Sequence, residues 1–194
     1  MTISPMAEFV SRGGSKLEYA LTFFGLDVSG KICADLGCST GGFTDCLLRR
    51  GAAKVYAVDT GYGVLDWKLR KDARVLVMER TNAMHVQLPQ TVGIVAIDIS
   101  WTRQRNILPN ARKMLAEGGT VVSLIKPHYE ADPAILRKGV VPEESVESVV
   151  EGVRREIEAG GWVWENSVRS PIKGGGGNVE VLVQLRPRSP SGRG

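Results

Sequence analysis

The chain of 194 residues has only three cysteines, Cys33, Cys38 and Cys46, and none of them stands in a C-x-x-C pair. An odd count at unpaired spacing argues against a disulfide framework and against a structural zinc site, so no metal is expected. No apolar run approaches the roughly 18 residues of a membrane helix. The opening "MTISPMAEFVSRGG" has neither the basic nor the apolar region of a secretion signal. A reduced, cytoplasmic protein without a membrane partner is the expectation. Internal repeats and linkers are also absent, which leaves one domain with one substantial core. What is present leans basic, with a formal charge of +4. Arg12 and Lys16 stand near the start, Arg49, Arg50 and Lys54 cluster, and so do Lys68, Arg70, Lys71 and Arg74, whereas acids gather between 143 and 158. Such a balance leans towards a polyanionic partner. The ending "RPRSPSGRG" reads as a disordered basic tail over 187–194, after a domain spanning 1–186.

Leu17, Ala20, Leu21 and Phe24 recur at helical spacing, which predicts an amphipathic helix before the first strand. Either a Ser15/Glu18 capping box or Ser11 would start it. Short Val/Ile-rich runs then alternate with helical stretches: "KICADLG" with "GGFTDCLLRRG", "AKVYAVDT" with "GVLDWKLRKD", and "VGIVAIDIS" with "RNILPNARKMLAEGG". "TVVSLIKP" leads on to "PEESVESVVEGVRREIEAGG". Continuous apolar strands between helices indicate an α/β fold, a mostly parallel sheet covered on both faces. "WVWENSVRS" and "NVEVLVQLR" are joined by "PIKGGGG", too short for a crossover helix, so the last strand is expected to run antiparallel.

In such a doubly wound sheet a ligand sits where the first strand turns into its helix. Here that turn is "ADLGCSTGGFTDCLL". Gly37, Gly41 and Gly42 allow close backbone approach, and Asp59 follows the second strand, 22 residues after Gly37, where it can accept both hydroxyls of a ribose. Ser39 stands where a dinucleotide site needs its second glycine, which disfavours a pyrophosphate. Asp35 would repel a phosphate but suits a ligand with an ammonium or sulfonium charge. Those features point to S-adenosylmethionine. The same loop matches the G-x-S-x-G nucleophile elbow, and Ser39, Asp98 and His128 follow the hydrolase triad order. The chain has only two histidines, however, and is short for that fold.

"FVSRGGSKLEYAL", "DLGCSTGGFTDCLLRRGAAKVYAVDTGYG", "WKLRKDARVLVMERTNA", "IDIS", "LIKPHYE" and "GNVEVLVQLR" together resemble the FtsJ-type RNA ribose 2′-O-methyltransferases. Within those, they resemble the TlyA/hemolysin-A-like rRNA methyltransferases, from Phe9 to Arg186 in the same order. The resemblance implies a Rossmann-like S-adenosylmethionine-dependent methyltransferase fold and a catalytic set of Lys16, Asp98, Lys126 and Glu180. It also implies cofactor contacts from Asp35, Gly37, Cys38, Ser39, Thr40, Gly41, Gly42, Phe43, Asp59, Thr81, Asn82 and Asp98. Tyr62 and Trp67 are candidates to flank the adenine, although aromatic residues at such positions are as often core. RNA, with ribosomal RNA foremost, is the expected substrate, and a monomer or weak dimer the expected state. The family's usual alanine in the loop is Cys38 here, and "WTRQRN" follows "DIS". Since about eight residues precede the matched region, docking is expected without the family's N-terminal RNA-binding domain.

The chemistry suits these residue types. A ribose hydroxyl must lose its proton as it attacks a sulfonium methyl, and a lysine can assist when a neighbouring cation and burial favour its neutral form. Carboxylates hold the ammonium groups in place. Taken singly, Lys16 also reads as an exposed helix lysine, Lys126 as a snorkelling strand-end lysine and Glu180 as a water-facing strand residue. Asp98 ends a buried strand, where an unpaired acid is costly. The alternative functions are a cofactor-binding protein acting on a small molecule or inactive on RNA, and a hemolysin-like membrane-active protein.

Overall fold

The computed structural model describes residues 9–189. Seven strands form one sheet in the order β3-β2-β1-β4-β5-β7-β6. They are β1 (Ile32–Leu36), β2 (Lys54–Val58), β3 (Val75–Met78), β4 (Val92–Ile97), β5 (Leu115–Ile125), β6 (Trp162–Arg169) and β7 (Val181–Pro187). The chain winds outward from β1 through β2 to β3, then returns to lay β4 along the other side of β1. That reversal makes the carboxyl ends of β1 and β4 the crevice of the sheet. β7 alone runs antiparallel, paired with β5 on one side and β6 on the other, as the short glycine-rich connection requires.

Alternate strand residues feed two core layers, which is why the strands read as unbroken apolar runs. Val55, Ala57, Ile94, Ala96, Val122 and Leu124 pack with Leu17, Leu21, Phe43 and Leu47 on the face covered by α1 (Arg12–Phe24) and α2 (Gly42–Arg49). Tyr56, Val58, Val95, Ile97 and Val121 pack with Ile107, Leu108, Met114 and Ile157 on the face covered by α4 (Gln104–Met114) and by the long helix Glu143–Ala159.

Local details differ from the sequence expectations. α1 starts from Ser11, whose side chain makes no capping bond. Ser15 lies inside the helix, so no capping box forms there, and Glu18 instead reaches Arg50 at 2.6 Å. Of "GVLDWKLRKD" only α3 (Trp67–Arg70) is helical, capped by Asp66 accepting from the Lys68 amide. Strand β7 runs through Pro187, and the Arg188 amide donates to the Gly161 carbonyl at 2.8 Å. The first residues of the expected tail are therefore tied to the sheet edge, and 190–194 lie outside the described residues.

Candidate active site

The loop after β1 is built from backbone geometry that few residues adopt. Gly37 has φ +87°, and a Cβ there would lie 2.6 Å from the Asp98 carbonyl oxygen, so the ends of β1 and β4 meet only across a glycine. Ser39 is left-handed at φ +47°, an unusual state for a residue with a side chain. It is held there because its amide donates to Asp59 Oδ2 at 2.8 Å, while Asp59 Oδ1 accepts the Gly61 amide at 2.7 Å. Asp59 thus ties the loop to the end of β2 and keeps lone pairs on both oxygens for a ligand.

Two lobes of one cleft open over this loop. The first, about 220 Å³, is lined by Gly37, Ser39, Asp59, Thr60, Thr81, Ala83, Asp98, Ile99, Ser100 and Trp101. The second, about 210 Å³, is lined by Ser11, Arg12, Gly13, Lys16, Gly37, Cys38, Ser39, Thr40, Gly42, Phe43 and Asp98. Gly37, Ser39 and Asp98 belong to both, so the lobes adjoin across β1 and β4. Of the expected cofactor contacts, Asp35, Gly41 and Asn82 line neither lobe. Gly41 faces Leu65 and Leu69, and the Asn82 side chain caps its own turn by accepting the Met84 amide.

Asp35 lies wholly buried beneath the loop. Its Oδ2 accepts the Thr44 hydroxyl at 2.7 Å, and Oδ1 has no hydrogen-bond partner. Burial, reinforced by the negative charges of Asp98 and Asp59 and opposed by Thr44, pushes its carboxyl up to about 7.

Of the four expected catalytic residues, Lys16 and Asp98 line the cleft, and each is ion-paired to one of the other two, Glu180 and Lys126, which line neither lobe. Ile125 at the end of β5 pairs with Val181 at the start of β7. Continuing that antiparallel register brings Lys126 opposite Glu180, while Asp98 follows the last residue of β4 on the other side of β5. Lys16 arrives from the buried side of α1, one residue before Leu17. Its Nζ is 2.5 Å from Glu180 Oε2, and this pair is almost fully buried. Lys126 Nζ is 2.6 Å from Asp98 Oδ1 and donates to Ser100 Oγ at 2.7 Å. The approach to Asp98 is off the hydrogen-bond direction, which leaves Oδ1 without a true hydrogen bond. Asp98 is the more open member, with 24% of its side chain exposed. The glycine-rich turn before β7 lies against Glu180, since a Cβ on Gly174 would sit 2.2 Å from Glu180 Oε1.

Ser39, Asp98 and His128 do not assemble into a triad. No hydrogen bond joins them: Ser39 binds Asp59 through its amide, Asp98 faces Lys126, and His128 packs on Tyr129 with Nδ1 unpartnered. Tyr62 and Trp67 line neither lobe; Trp101 borders the first one instead. Sequence reasoning also missed Arg12 and Ser100. Ser100 follows Asp98 by two in "DIS", and that spacing was the available signal.

The FtsJ-like methyltransferase model matches residues 9–187. YqxC of Bacillus subtilis is 45% identical over 185 residues, which covers 91% of this chain, and the chain spans 65% of that protein's length. The 16S/23S rRNA (cytidine-2′-O)-methyltransferase TlyA of Mycobacterium tuberculosis is 40% identical over 93% of this chain and 69% of that one. Among solved structures, a hemolysin-named protein of Streptococcus thermophilus superimposes with a TM-score of 0.89 at 41% identity, covering 96% of this chain and 70% of that one. An S-adenosylmethionine-dependent methyltransferase of Mesorhizobium loti shares the fold alone, with a TM-score of 0.64 at 16% identity, covering 87% of this chain and 96% of that one.

Proposed function

Since the chain belongs to the FtsJ-like methyltransferase family, we propose that it methylates a ribose 2′-hydroxyl of RNA, foremost ribosomal RNA, using S-adenosylmethionine. The observation that carries this reading is the two ion pairs, the buried Lys16–Glu180 and the partly open Lys126–Asp98, which bring Lys16 and Asp98 to the lining of a two-lobed cleft. Residues 1–186 would form the methyltransferase domain. The relatives named as rRNA (cytidine-2′-O)-methyltransferases support the RNA substrate. Among the described residues no helix is long and apolar enough to cross a membrane, so the hemolysin-like reading has no span behind it. The proposed reaction belongs in the cytoplasm.

The residues present fit the cofactor. Asp59 offers open lone pairs to a ribose, no cation lines the first lobe where a pyrophosphate would need one, and the partly exposed Asp98 borders both lobes. When bound, S-adenosylmethionine supplies an electrophilic methyl on a sulfonium. Asp59 holds the nucleoside through its ribose, and the loop at 37–42 shapes the approach to the amino-acid end. Lys126 takes the hydroxyl proton, while Asp98 and Ser100 fix where its nitrogen points. Lys16, clamped by Glu180, lines the second lobe and orients the incoming ribose. Positioning accounts for most of what the chain contributes.

The test is incubation with methyl-labelled S-adenosylmethionine and ribosomal RNA or ribosomal subunits, followed by nucleoside analysis. Label in a 2′-O-methyl nucleoside is the expected result. Label on a base, or on small molecules only, refutes the proposal.

A further inference from the structure

The segment between β2 and β3 has two apolar faces, and only one of them serves the core. Leu65 and Leu69 turn inward and are buried against Gly41 of the cofactor loop. Tyr62 and Trp67 turn outward and are 71% and 66% exposed, the two most exposed large apolar side chains among the described residues. Each carries a cation on one face of its ring. Lys71 Nζ stands 4.7 Å from the Trp67 ring centroid, and the Arg80 guanidinium 4.2 Å from that of Tyr62. Among the described residues Lys68, Lys71 and Arg80 make no ion pair, whereas Arg70 and Arg74 beside them are paired to Glu79 and Asp72.

This arrangement is held rigidly. The Asp66 amide donates to the Thr40 carbonyl at 3.0 Å, the Val64 amide to Glu79 Oε1 at 3.2 Å, and the Arg80 amide to the Gly61 carbonyl at 3.0 Å. The segment also begins at the cleft, because Asp59 and Thr60 line the first lobe just before Gly61.

We propose that the outer face of residues 61–80 is a docking platform for single-stranded RNA, with Tyr62 and Trp67 stacking on unpaired bases and Lys71 and Arg80 meeting the phosphates. A ring with a cation on one face has its other face free for a base, and the cation is placed where the backbone of that base passes. Unpaired bases are required, because a duplex keeps its base faces stacked internally. The proposal rests on the RNA-methylating reading and adds to it the place where substrate is gripped outside the cleft.

The test uses the full chain and a labelled, unstructured pyrimidine oligoribonucleotide of about twelve nucleotides, followed by fluorescence anisotropy. Tyr62→Ala and Trp67→Ala are each expected to weaken binding roughly 5- to 100-fold, and Tyr62→Phe and Trp67→Phe to stay within a few-fold of the parent. Lys71→Gln and Arg80→Gln should each lower the salt slope by about one. Cofactor affinity, read by calorimetry, should not change in any of the six. A Tyr62→Ala/Trp67→Ala double variant that binds the oligonucleotide within two-fold of the parent overturns the platform, as does a parent that binds no oligonucleotide. If the parent binds with these signatures yet methylates no RNA, the platform stands and the methylation reading fails. If it methylates RNA and the double variant keeps the parent's KM for RNA, the reverse holds.

Discussion

Asp35 makes the stability of this domain depend on pH in a direction opposite to that of an ordinary surface carboxylate. Its carboxyl is fully buried, with one oxygen accepting from Thr44 and the other unpartnered, and burial raises its pKa from 3.8 to about 7. A group whose pKa is higher in the folded chain favours folding most when protonated. Its contribution is therefore complete below about pH 4 and is lost as pH rises to about 7. At 1.36 kcal/mol for each tenfold in proton affinity, the loss amounts to about 4 kcal/mol, a large share of a typical domain's stability. Asp35→Asn removes the titration while keeping an acceptor for the Thr44 hydroxyl. Urea unfolding of the parent and of Asp35→Asn across pH 4 to 8 isolates the effect, because contributions from groups not coupled to Asp35 cancel in the difference. The stability of the parent relative to the variant is expected to fall by about 4 kcal/mol between those limits. Two curves that run parallel across the range would refute the reasoning.

The buried Lys16–Glu180 pair separates stability from activity: Glu180→Leu alone is expected to cost roughly 3–5 kcal/mol in denaturation, because it strands the ammonium. The Lys16→Met/Glu180→Leu double variant should regain most of that stability and still transfer no methyl. Asp59→Ala removes the acceptor of the Ser39 and Gly61 amides as well as that of the ribose, so calorimetry should show cofactor affinity falling more than about tenfold. Gly174→Ala places a methyl 2.2 Å from Glu180 Oε1, and a steady-state assay should show reduced methyl transfer with cofactor affinity unchanged.

The middle of the sheet was legible because β1, β2 and β4 are buried on both faces and so read as apolar runs. The antiparallel last strand was legible from a connection too short to cross over. The start of α1 was not. Two serines offer equal local chemistry, and the choice depends on where Leu17 and Leu21 meet the sheet. The resemblance grouped four charged residues, but which lysine faces which acid depends on the register of Ile125 with Val181 and on the path of α1. Neither is written in local sequence. Tyr62 and Trp67, candidates either to flank the adenine or to enter the core, are exposed and line neither lobe of the cleft. The inward turn of Leu65 and Leu69 sends both rings to the outer face instead. Ser39 and Asp59 were each noticed, but only the folded loop reveals that the carboxylate of one holds the amide of the other.

The central claim is that the ion-paired lysine at the end of β5 removes the ribose proton, and Lys126→Ala tests it most directly. Single-turnover methyl transfer would be measured at saturating S-adenosylmethionine on an RNA that the parent methylates, with cofactor affinity measured alongside. The expected result is a rate roughly 10²–10⁴-fold below the parent at unchanged cofactor affinity. Lys126→Arg should fail to restore it, since a guanidinium does not give up its proton near neutral pH. Transfer by Lys126→Ala within a few-fold of the parent would contradict the assignment and leave Lys126 as a structural partner of Asp98 and Ser100.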